Sequence, residues 1–162
     1  MKKHVSGVVL RPATVEDMAG VHALVRELAV FEKAPEQHTA TVEDYIRDFF
    51  NGIFGCTVAV DEQGKIIGKI LYYTAYSTWR GKMLYLEDFI VTEAYRKYGV
   101  GQLLFDEFLR FGRDQGARLV KWQVLDWNEP AIRFYQKNKA IIETEWHNGK
   151  IFLMDTEPAD KA

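Results

Sequence analysis

A basic turn with two glycines, residues 96–101, restricts the fold of this chain more than any other segment. The alternating apolar residues at 83–91 predict a strand before the turn, and the spacing at 101–111 predicts an amphipathic helix after it. The first N–H groups of a helix and the positive end of its dipole suit an anion. The segment therefore predicts a phosphate-binding loop, or else a strand-to-helix turn in which the glycines serve only the geometry.

Two familiar phosphate-binding loops do not fit this turn. A dinucleotide-binding loop carries a third glycine at the position where this chain has Leu104. A P-loop requires glycine, lysine and then serine or threonine, a string that does not occur in the sequence. What remains is the pattern Arg-x-x-Gly-x-Gly directly after a predicted strand.

Length and composition limit the class of protein further. A chain of 162 residues, 48% of them hydrophobic, suits one domain, with a core at about 8–155 and a polar tail at 156–162 that we expect to fray. The net charge of −2 argues against a broad nucleic-acid-binding face. A single cysteine, Cys56, excludes an internal disulfide and a thiolate metal cluster. No apolar run approaches a membrane span and no signal-peptide pattern occurs, so we expect a cytoplasmic protein that binds neither membrane nor nucleic acid.

The hydrophobic periods predict an α/β fold with the order β-α-α-β-β-β-α-β-α-β-β. Helical segments are expected at 14–32, 41–50, 99–115 and 129–138. Strands are expected at 8–11, 57–60, 65–76, 83–91 and 119–125. The last two strands, 140–146 and 150–155, would pair as a hairpin across Asn148-Gly149.

Several separate motifs carry a resemblance to a known family. They are Arg11-Pro12-Ala13-Thr14, Tyr85-Leu86-Glu87-Asp88-Phe89, the loop of Gly99 and Gly101, Asp126-Trp127-Asn128-Glu129-Pro130 and Arg133-Phe134-Tyr135. Together they resemble the spermidine/spermine N-acetyltransferase (diamine acetyltransferase) group of the GNAT superfamily. Phe31-Glu32-Lys33, Tyr76-Ser77-Thr78-Trp79 and the segment 124–128 are most similar to its thialysine-acetylating branch. The resemblance implies a GNAT fold, with one mixed and mostly antiparallel sheet whose strands splay at the cofactor site.

The resemblance also implies a reaction and its participants. Acetyl-CoA is the expected cosubstrate, no metal is expected, and the acetyl group passes directly to a primary amine of a small molecule in a ternary complex. Relatives are homodimers, so we expect a homodimer. Two rival functions stay open: acetylation of a protein or peptide amine, and a non-catalytic acyl-CoA-binding sensor.

Amine acetylation needs a group that accepts the amine proton and one that protonates the leaving thiolate. The resemblance assigns the acid role to Tyr135, whose phenol (pKa ~10 in a free side chain) can protonate an alkyl thiolate at modest cost. The alternative for Tyr135 is ring packing beside Phe134. Glu87 is assigned to the acceptor amine, either as its direct partner or as a base acting through water. The alternative for Glu87 is a solvated strand edge.

Cofactor contacts follow from the same resemblance. The backbone of Phe89, Ile90 and Val91 would pair with the pantetheine arm, and a β-bulge in this strand would leave a donor for the thioester oxygen. Asn128 would hydrogen bond to CoA, although an N-cap role before Glu129-Pro130 explains it nearly as well. The pyrophosphate would lie on the loop formed by Arg96, Lys97, Tyr98, Gly99, Val100, Gly101 and Gln102.

Acceptor contacts are expected at Phe31, Glu32, Glu87, Asp88 and Trp79. Trp79 would offer a cation–π wall, or would instead anchor a loop. Because adjacent strand residues face opposite sides, Glu87 and Asp88 are not expected to form a close pair of carboxylates. The apolar residues around them predict that a buried carboxylate here has a cationic partner.

Two positions depart from the pattern of the relatives. Ser77 stands where polyamine-type relatives carry an acidic residue, which favours a small amino acid with a side-chain amine, such as thialysine. Lys139 stands where relatives place glycine after the last helix, and Asn138 is expected to adopt the left-handed conformation in its place.

Overall fold

The computed structural model describes residues 7–154, which divide into two compact units, one up to residue 122 and one from residue 123 onward. The tail expected to fray lies outside the described residues. Within the described part, no helix is both long and apolar enough to cross a lipid bilayer.

One five-stranded sheet organises the first unit. Its strands are β1 (Val9–Pro12), β2 (Gly55–Val60), β3 (Ile66–Ser77), β4 (Gly81–Val91) and β5 (Leu119–Lys121). They lie in sequence order across the sheet, and every pair is antiparallel except β4 with β5. The prediction of one mixed and mostly antiparallel sheet is confirmed.

Three helices cover the two faces of the sheet: α1 (Met18–Phe31) and α2 (Val42–Phe50) on one face, α3 (Val100–Asp114) on the other. Val21 of α1 is buried in a cluster with Val58 and Leu71. Tyr72, the next residue of β3, faces the opposite way and packs on Phe108 of α3, with ring centroids 5.3 Å apart. Burial of both faces explains why β2 and the first half of β3 are almost continuously apolar.

β4 loses its neighbour halfway along its length. The parallel ladder between β4 and β5 ends at the pair Tyr85 and Lys121, whereas β4 continues to Val91. The two strands therefore pair only before the carboxylate-containing segment of β4. This is the separation of strands that the resemblance implied at the cofactor site.

The second unit contains α4 (Glu129–Lys137) but not the predicted hairpin. Residues 138–154 adopt no strand, and Asp155 lies outside the described residues. Ile141, Ile151 and Leu153 are 87%, 88% and 92% exposed, so the two apolar runs bury no common face. A two-stranded hairpin without a packed face is marginal in water. The turn residue Asn148 instead accepts a hydrogen bond from Gln123 Nε2 at 2.8 Å.

Candidate active site

The glycine loop, residues 96–102, includes the first residues of α3 and is connected to the end of β4 by residues 92–95. Gly99 precedes the helix with a φ of 93°, a left-handed conformation that favours glycine. It has no side chain to cap the helix, and the first turn of α3 carries no acidic residue. Lys97 also has a positive φ, 68°. The start of α3 therefore keeps its positive electrostatic end for an external anion.

Gly101 has a different environment from Gly99. A Cβ at Gly101 would meet Phe89 Cζ at 3.5 Å and Val91 Cγ2 at 3.7 Å, which are ordinary packing distances. A Cβ at Gly99 would meet no atom within 4 Å, but its φ makes any side chain there strained. Gly99 is thus the position where the backbone itself requires glycine.

Arg96 connects the glycine loop to two other elements of the first unit. Its Nε donates to the carbonyl oxygen of Val91 at 2.8 Å, and Nη2 lies 3.8 Å from Glu27 of α1. Its guanidinium also lies over the ring of Phe31, 5.4 Å from the centroid. Glu27 also accepts a hydrogen bond from Thr92 Oγ1 at 3.3 Å. Arg96 therefore fixes the loop entry while its head group stays partly exposed.

The other loop residues differ in exposure. Lys97 and Tyr98 are exposed, and Val100 is buried at the start of α3. Gln102 donates through Nε2 to Asp106 at 2.8 Å. Ile90 and Val91, at the end of β4, are buried, while Phe89 is half-buried and stacks on Phe105 with centroids 6.2 Å apart. Only the backbone of these last three residues was expected to contact the cofactor, and this stays a prediction.

A β-bulge interrupts β4 at Glu87. Tyr72 is opposite Leu86 and Leu71 is opposite Asp88, so Glu87 has no opposite residue in β3. The directions of the side chains on either side of Glu87 agree with one extra residue in β4. Leu84 lies near Gly112 of α3, and Phe89 packs on α3 as well. An even-numbered and an odd-numbered residue can share this face only if one residue between them is bulged.

The bulge brings Glu87 and Asp88 to the same side of the sheet, the side of α1 and α2. The expectation that they face opposite sides was wrong, because it assumed regular alternation through this segment. We call this pair of residues the carboxylate bulge.

Three tyrosines lie close enough to the exposed Glu87 carboxylate for its charge to affect their pKa. Burial, and then the charge of Glu87, raise the pKa of Tyr45 on α2 to about 12. The same two causes raise the pKa of Tyr73 and of Tyr85, whose rings stack with centroids 5.2 Å apart. A carboxylate flanked by aromatic faces is a chemically suitable site for an ammonium group. The sequence analysis did not identify these tyrosines, because their convergence depends on the sheet register.

Asp88 has a cationic partner, as expected, and that partner is Lys69 of β3. The Lys69 side chain is completely buried and its Nζ contacts the Asp88 carboxylate. Burial lowers the pKa of the Lys69 ammonium to about 7, and the nearby charge of Glu87 acts in the opposite direction. A lysine inside an otherwise apolar strand was the signal in the sequence. Lys69 was not among the predicted site residues.

The neighbouring Cys56 is buried on the same face of the sheet. Burial raises the pKa of its thiol to about 12, although Lys69 acts in the opposite direction. The thiol therefore remains protonated near neutral pH and is a poor nucleophile. This supports direct acetyl transfer rather than an acetyl-cysteine intermediate.

The remaining acceptor candidates are spread over the first unit. Phe31 and Glu32 lie at the end of α1, and burial raises the pKa of the half-buried Glu32. Trp79 lies in the turn between β3 and β4 and is 87% exposed. Because the strand between Gly81 and Glu87 spans roughly 20 Å, this subunit does not bring Trp79 to the carboxylate bulge. Ser77, near the same turn, accepts a hydrogen bond from the Arg80 N–H at 3.1 Å.

Asn128 and Tyr135 belong to the second unit. Asn128 is the N-cap of α4, and its Oδ1 accepts a hydrogen bond from the Ala131 N–H at 3.4 Å. Tyr135 is 7% exposed and packs edge-on against Phe134, with centroids 5.5 Å apart. The capping and packing alternatives are thus present, and neither prevents the cofactor and acid roles.

The end of α4 corrects one prediction. Lys139 itself adopts the left-handed conformation with a φ of 65°, whereas Asn138 has a φ of −87°. The Lys139 N–H donates to Gln136 O at 2.9 Å and the Ala140 N–H to Tyr135 O at 3.0 Å. These closing hydrogen bonds fix which residue must take the positive φ. Asn138 instead donates through Nδ2 to Phe134 O at 2.9 Å.

Comparison with known proteins identifies the family and the fold of this chain. A thialysine N-epsilon-acetyltransferase of Sus scrofa is 34% identical over 155 residues, which cover 88% of this chain and 91% of that protein. A spermidine/spermine N(1)-acetyltransferase-like protein 1 of Homo sapiens is 33% identical over 149 residues, covering 85% of this chain and 21% of that protein. The fold is similar to that of an aminoglycoside acetyltransferase from an uncultured soil metagenomic sample, with a TM-score of 0.77 at 18% identity over 93% of this chain and 99% of that chain. The model of the acetyltransferase (GNAT) family matches residues 21–139, and the chain belongs to that family.

Proposed function

We propose that this chain transfers the acetyl group of acetyl-CoA directly to a primary amine of a small molecule, either a thialysine-like amino acid or a diamine or polyamine. The observation that carries the proposal is the exposed Glu87 carboxylate among Tyr45, Tyr73 and Tyr85, on the same strand that leads into the glycine loop. The proposed ammonium site thus lies within β4, and the proposed anion site follows the end of that strand.

The donor side of the proposal uses mainly backbone groups. The pyrophosphate of acetyl-CoA would bind at the start of α3, with Arg96 and Lys97 adding positive charge. The pantetheine arm would follow the backbone of residues 89–91, past the point where β5 stops pairing with β4. Asn128 would add a hydrogen bond from the second unit.

The acceptor side uses side chains. Glu87 takes a proton from the acceptor ammonium, directly or through water, and the free amine attacks the thioester carbon. A C–N bond forms and the C–S bond breaks. Tyr135 gives its phenolic proton to the departing CoA thiolate and regains a proton, through water, from the attacking nitrogen, which loses its second proton as the amide forms. Phe31, Glu32, Asp88 and Trp79 are the further residues that we assign to acceptor binding.

Assembly and location complete the proposal. The resemblance to dimeric relatives supports a homodimer, and a second subunit would offer the acceptor site a route to the distant Trp79. The proposed enzyme is cytoplasmic and needs no metal, and it uses neither nucleic acid nor membrane. Sedimentation of the purified chain tests the dimer, since a monomer at the concentrations used in the assay would contradict it.

A screen of amines with acetyl-CoA tests the function, with release of free thiol as the readout. Thialysine, lysine, ornithine, putrescine, spermidine and an N-terminal peptide cover the small-molecule proposal and its rival. We expect thialysine or one of the small amines to accelerate thiol release most. If only the peptide does so, the chain is a protein acetyltransferase. If no amine does so while calorimetry still detects acetyl-CoA binding, the chain is an acyl-CoA sensor.

A further inference from the structure

The ion pair beneath the carboxylate bulge has a consequence for the choice of acceptor. Lys69 is completely buried, whereas the Asp88 side chain that it contacts is 18% exposed. Asp88 is therefore reached by Lys69 from inside the protein and by solvent from outside. Glu87, on the same side of the sheet, is exposed.

The charges around Lys69 can be counted from the elements that face it. Asp88 and Glu87 come from β4, Cys56 comes from β2, and His38 precedes α2. Cys56 stays protonated because burial raises the pKa of its thiol. Burial, followed by the charges of His22, Arg26 and Lys69, lowers the pKa of His38 and favours its neutral form. With Lys69 protonated, the cluster carries one net negative charge; without Lys69 it would carry two.

We propose that Lys69 is a specificity-determining residue that limits the acceptor to one ammonium group at the carboxylate bulge. Its ammonium compensates Asp88, so that Glu87 alone remains to attract the reacting amine. This inference rests on the proposed function, since it assumes that the amine binds at Glu87.

Removal of the Lys69 charge should change the preference between two matched amines. Butylamine and putrescine have the same carbon chain, and only putrescine has a second ammonium group. In Lys69→Met, that second ammonium would take the place of the lysine against Asp88. We expect the ratio of kcat/KM for putrescine to kcat/KM for butylamine to rise about tenfold, as for one added charge pair near a protein surface.

The ratio is measured at about pH 6, below the Lys69 pKa of about 7, so that most of the wild-type lysine is protonated. It does not depend on the fraction of folded enzyme, because both amines meet the same active molecules. Lys69→Leu gives a second apolar variant if Lys69→Met accumulates poorly. Lys65→Met is the matched control, because Lys65 is exposed and its loss changes the net charge equally. In Lys69→Met/Asp88→Asn the ratio should return to the wild-type value.

The outcomes separate this inference from the proposed function. If wild-type enzyme acetylates neither these amines nor those of the screen, the proposed function fails. If it acetylates both amines and the ratio is unchanged in Lys69→Met, only the role of Lys69 fails. A ratio that rises equally in Lys65→Met, or that stays high when Asp88→Asn is added, would also overturn the role of Lys69.

Discussion

The carboxylate bulge lies within β4 and the glycine loop follows the end of that strand, but the two are constructed differently. The loop offers backbone N–H groups of α3, positioned by the left-handed Gly99, and its neighbourhood contains no buried charge pair. The bulge offers side-chain carboxylates, and it depends on a buried lysine in the adjacent strand. A backbone site suits a donor that is always the same molecule. A side-chain site can change its acceptor through single substitutions.

The largest expected effect is a loss of activity toward the acceptor amine, without a change in acetyl-CoA binding. Glu87→Gln removes the proposed base but keeps the size of the side chain, so kcat/KM for the amine should fall about 100-fold or more. Steady-state kinetics with the best amine of the screen measures the loss. Calorimetry should find acetyl-CoA affinity unchanged. Glu93→Gln, at an exposed position after β4, removes the same charge and should leave both values near wild type. Equal losses in the two variants would show a general charge effect.

A somewhat smaller effect is expected from the proposed acid in the second unit. Tyr135→Phe keeps the edge-on packing with Phe134 but removes the phenolic proton. We expect kcat to fall about 30-fold, less than for an alkoxide leaving group, because a thiolate leaves readily. Acetyl-CoA affinity should change little. The wild-type rate should decline at high pH as the phenol ionises, and the variant should lose that decline. A variant with normal kcat and an unchanged pH profile would leave Tyr135 as a packing residue.

A negative charge introduced at the start of α3 is expected to weaken acetyl-CoA binding. Gly101→Asp adds a negative charge to the first turn of α3, where it would repel the pyrophosphate that we propose binds there, and acetyl-CoA affinity should fall about tenfold or more. Gly101→Ala is the control, because its Cβ fits at ordinary distances from Phe89 and Val91. Calorimetry on both folded variants decides the matter. Unchanged affinity in Gly101→Asp would mean that the glycine loop is only a turn.

The smallest expected effects, on stability and on acetyl-CoA affinity, concern two lysines whose backbone adopts the left-handed conformation. Lys97 in the glycine loop and Lys139 after α4 have φ values of 68° and 65°. Replacement of either by glycine should stabilise the fold by about 0.5–1 kcal/mol, because the backbone strain exceeds the entropic cost of glycine. Only Lys97→Gly should also weaken acetyl-CoA binding, by about threefold, through loss of one charge near the phosphates. Urea denaturation and calorimetry measure the two effects, and identical affinity changes in both variants would remove Lys97 from the donor site.

The glycine loop could be predicted from the sequence because its information is local. Gly99, Gly101 and the basic residues are adjacent, and the periods before and after them change from strand to helix. The same holds for α2, which was expected at 41–50: Thr41 and Asp44 form a reciprocal cap at its start, with the Thr41 N–H donating to Asp44 at 2.9 Å.

The carboxylate bulge could not be predicted in this way. Regular alternation places Glu87 and Asp88 on opposite faces, and nothing in their own segment reveals that the register shifts between them. The role of Lys69 depends on a residue of another strand, and the tyrosines around Glu87 come from three elements. The absent hairpin shows the converse error, since Asn148-Gly149 is a strong local turn signal but its flanking apolar residues find no surface to cover.

Initial-rate kinetics tests most directly whether the glycine loop and the carboxylate bulge are occupied by the two substrates at the same time. Acetyl-CoA and the best amine are varied together, and reciprocal plots of rate against concentration are compared. Direct transfer in a ternary complex predicts intersecting lines, because no product leaves before both substrates bind. Parallel lines would indicate an acetylated enzyme intermediate and would contradict simultaneous occupation of the glycine loop and the carboxylate bulge.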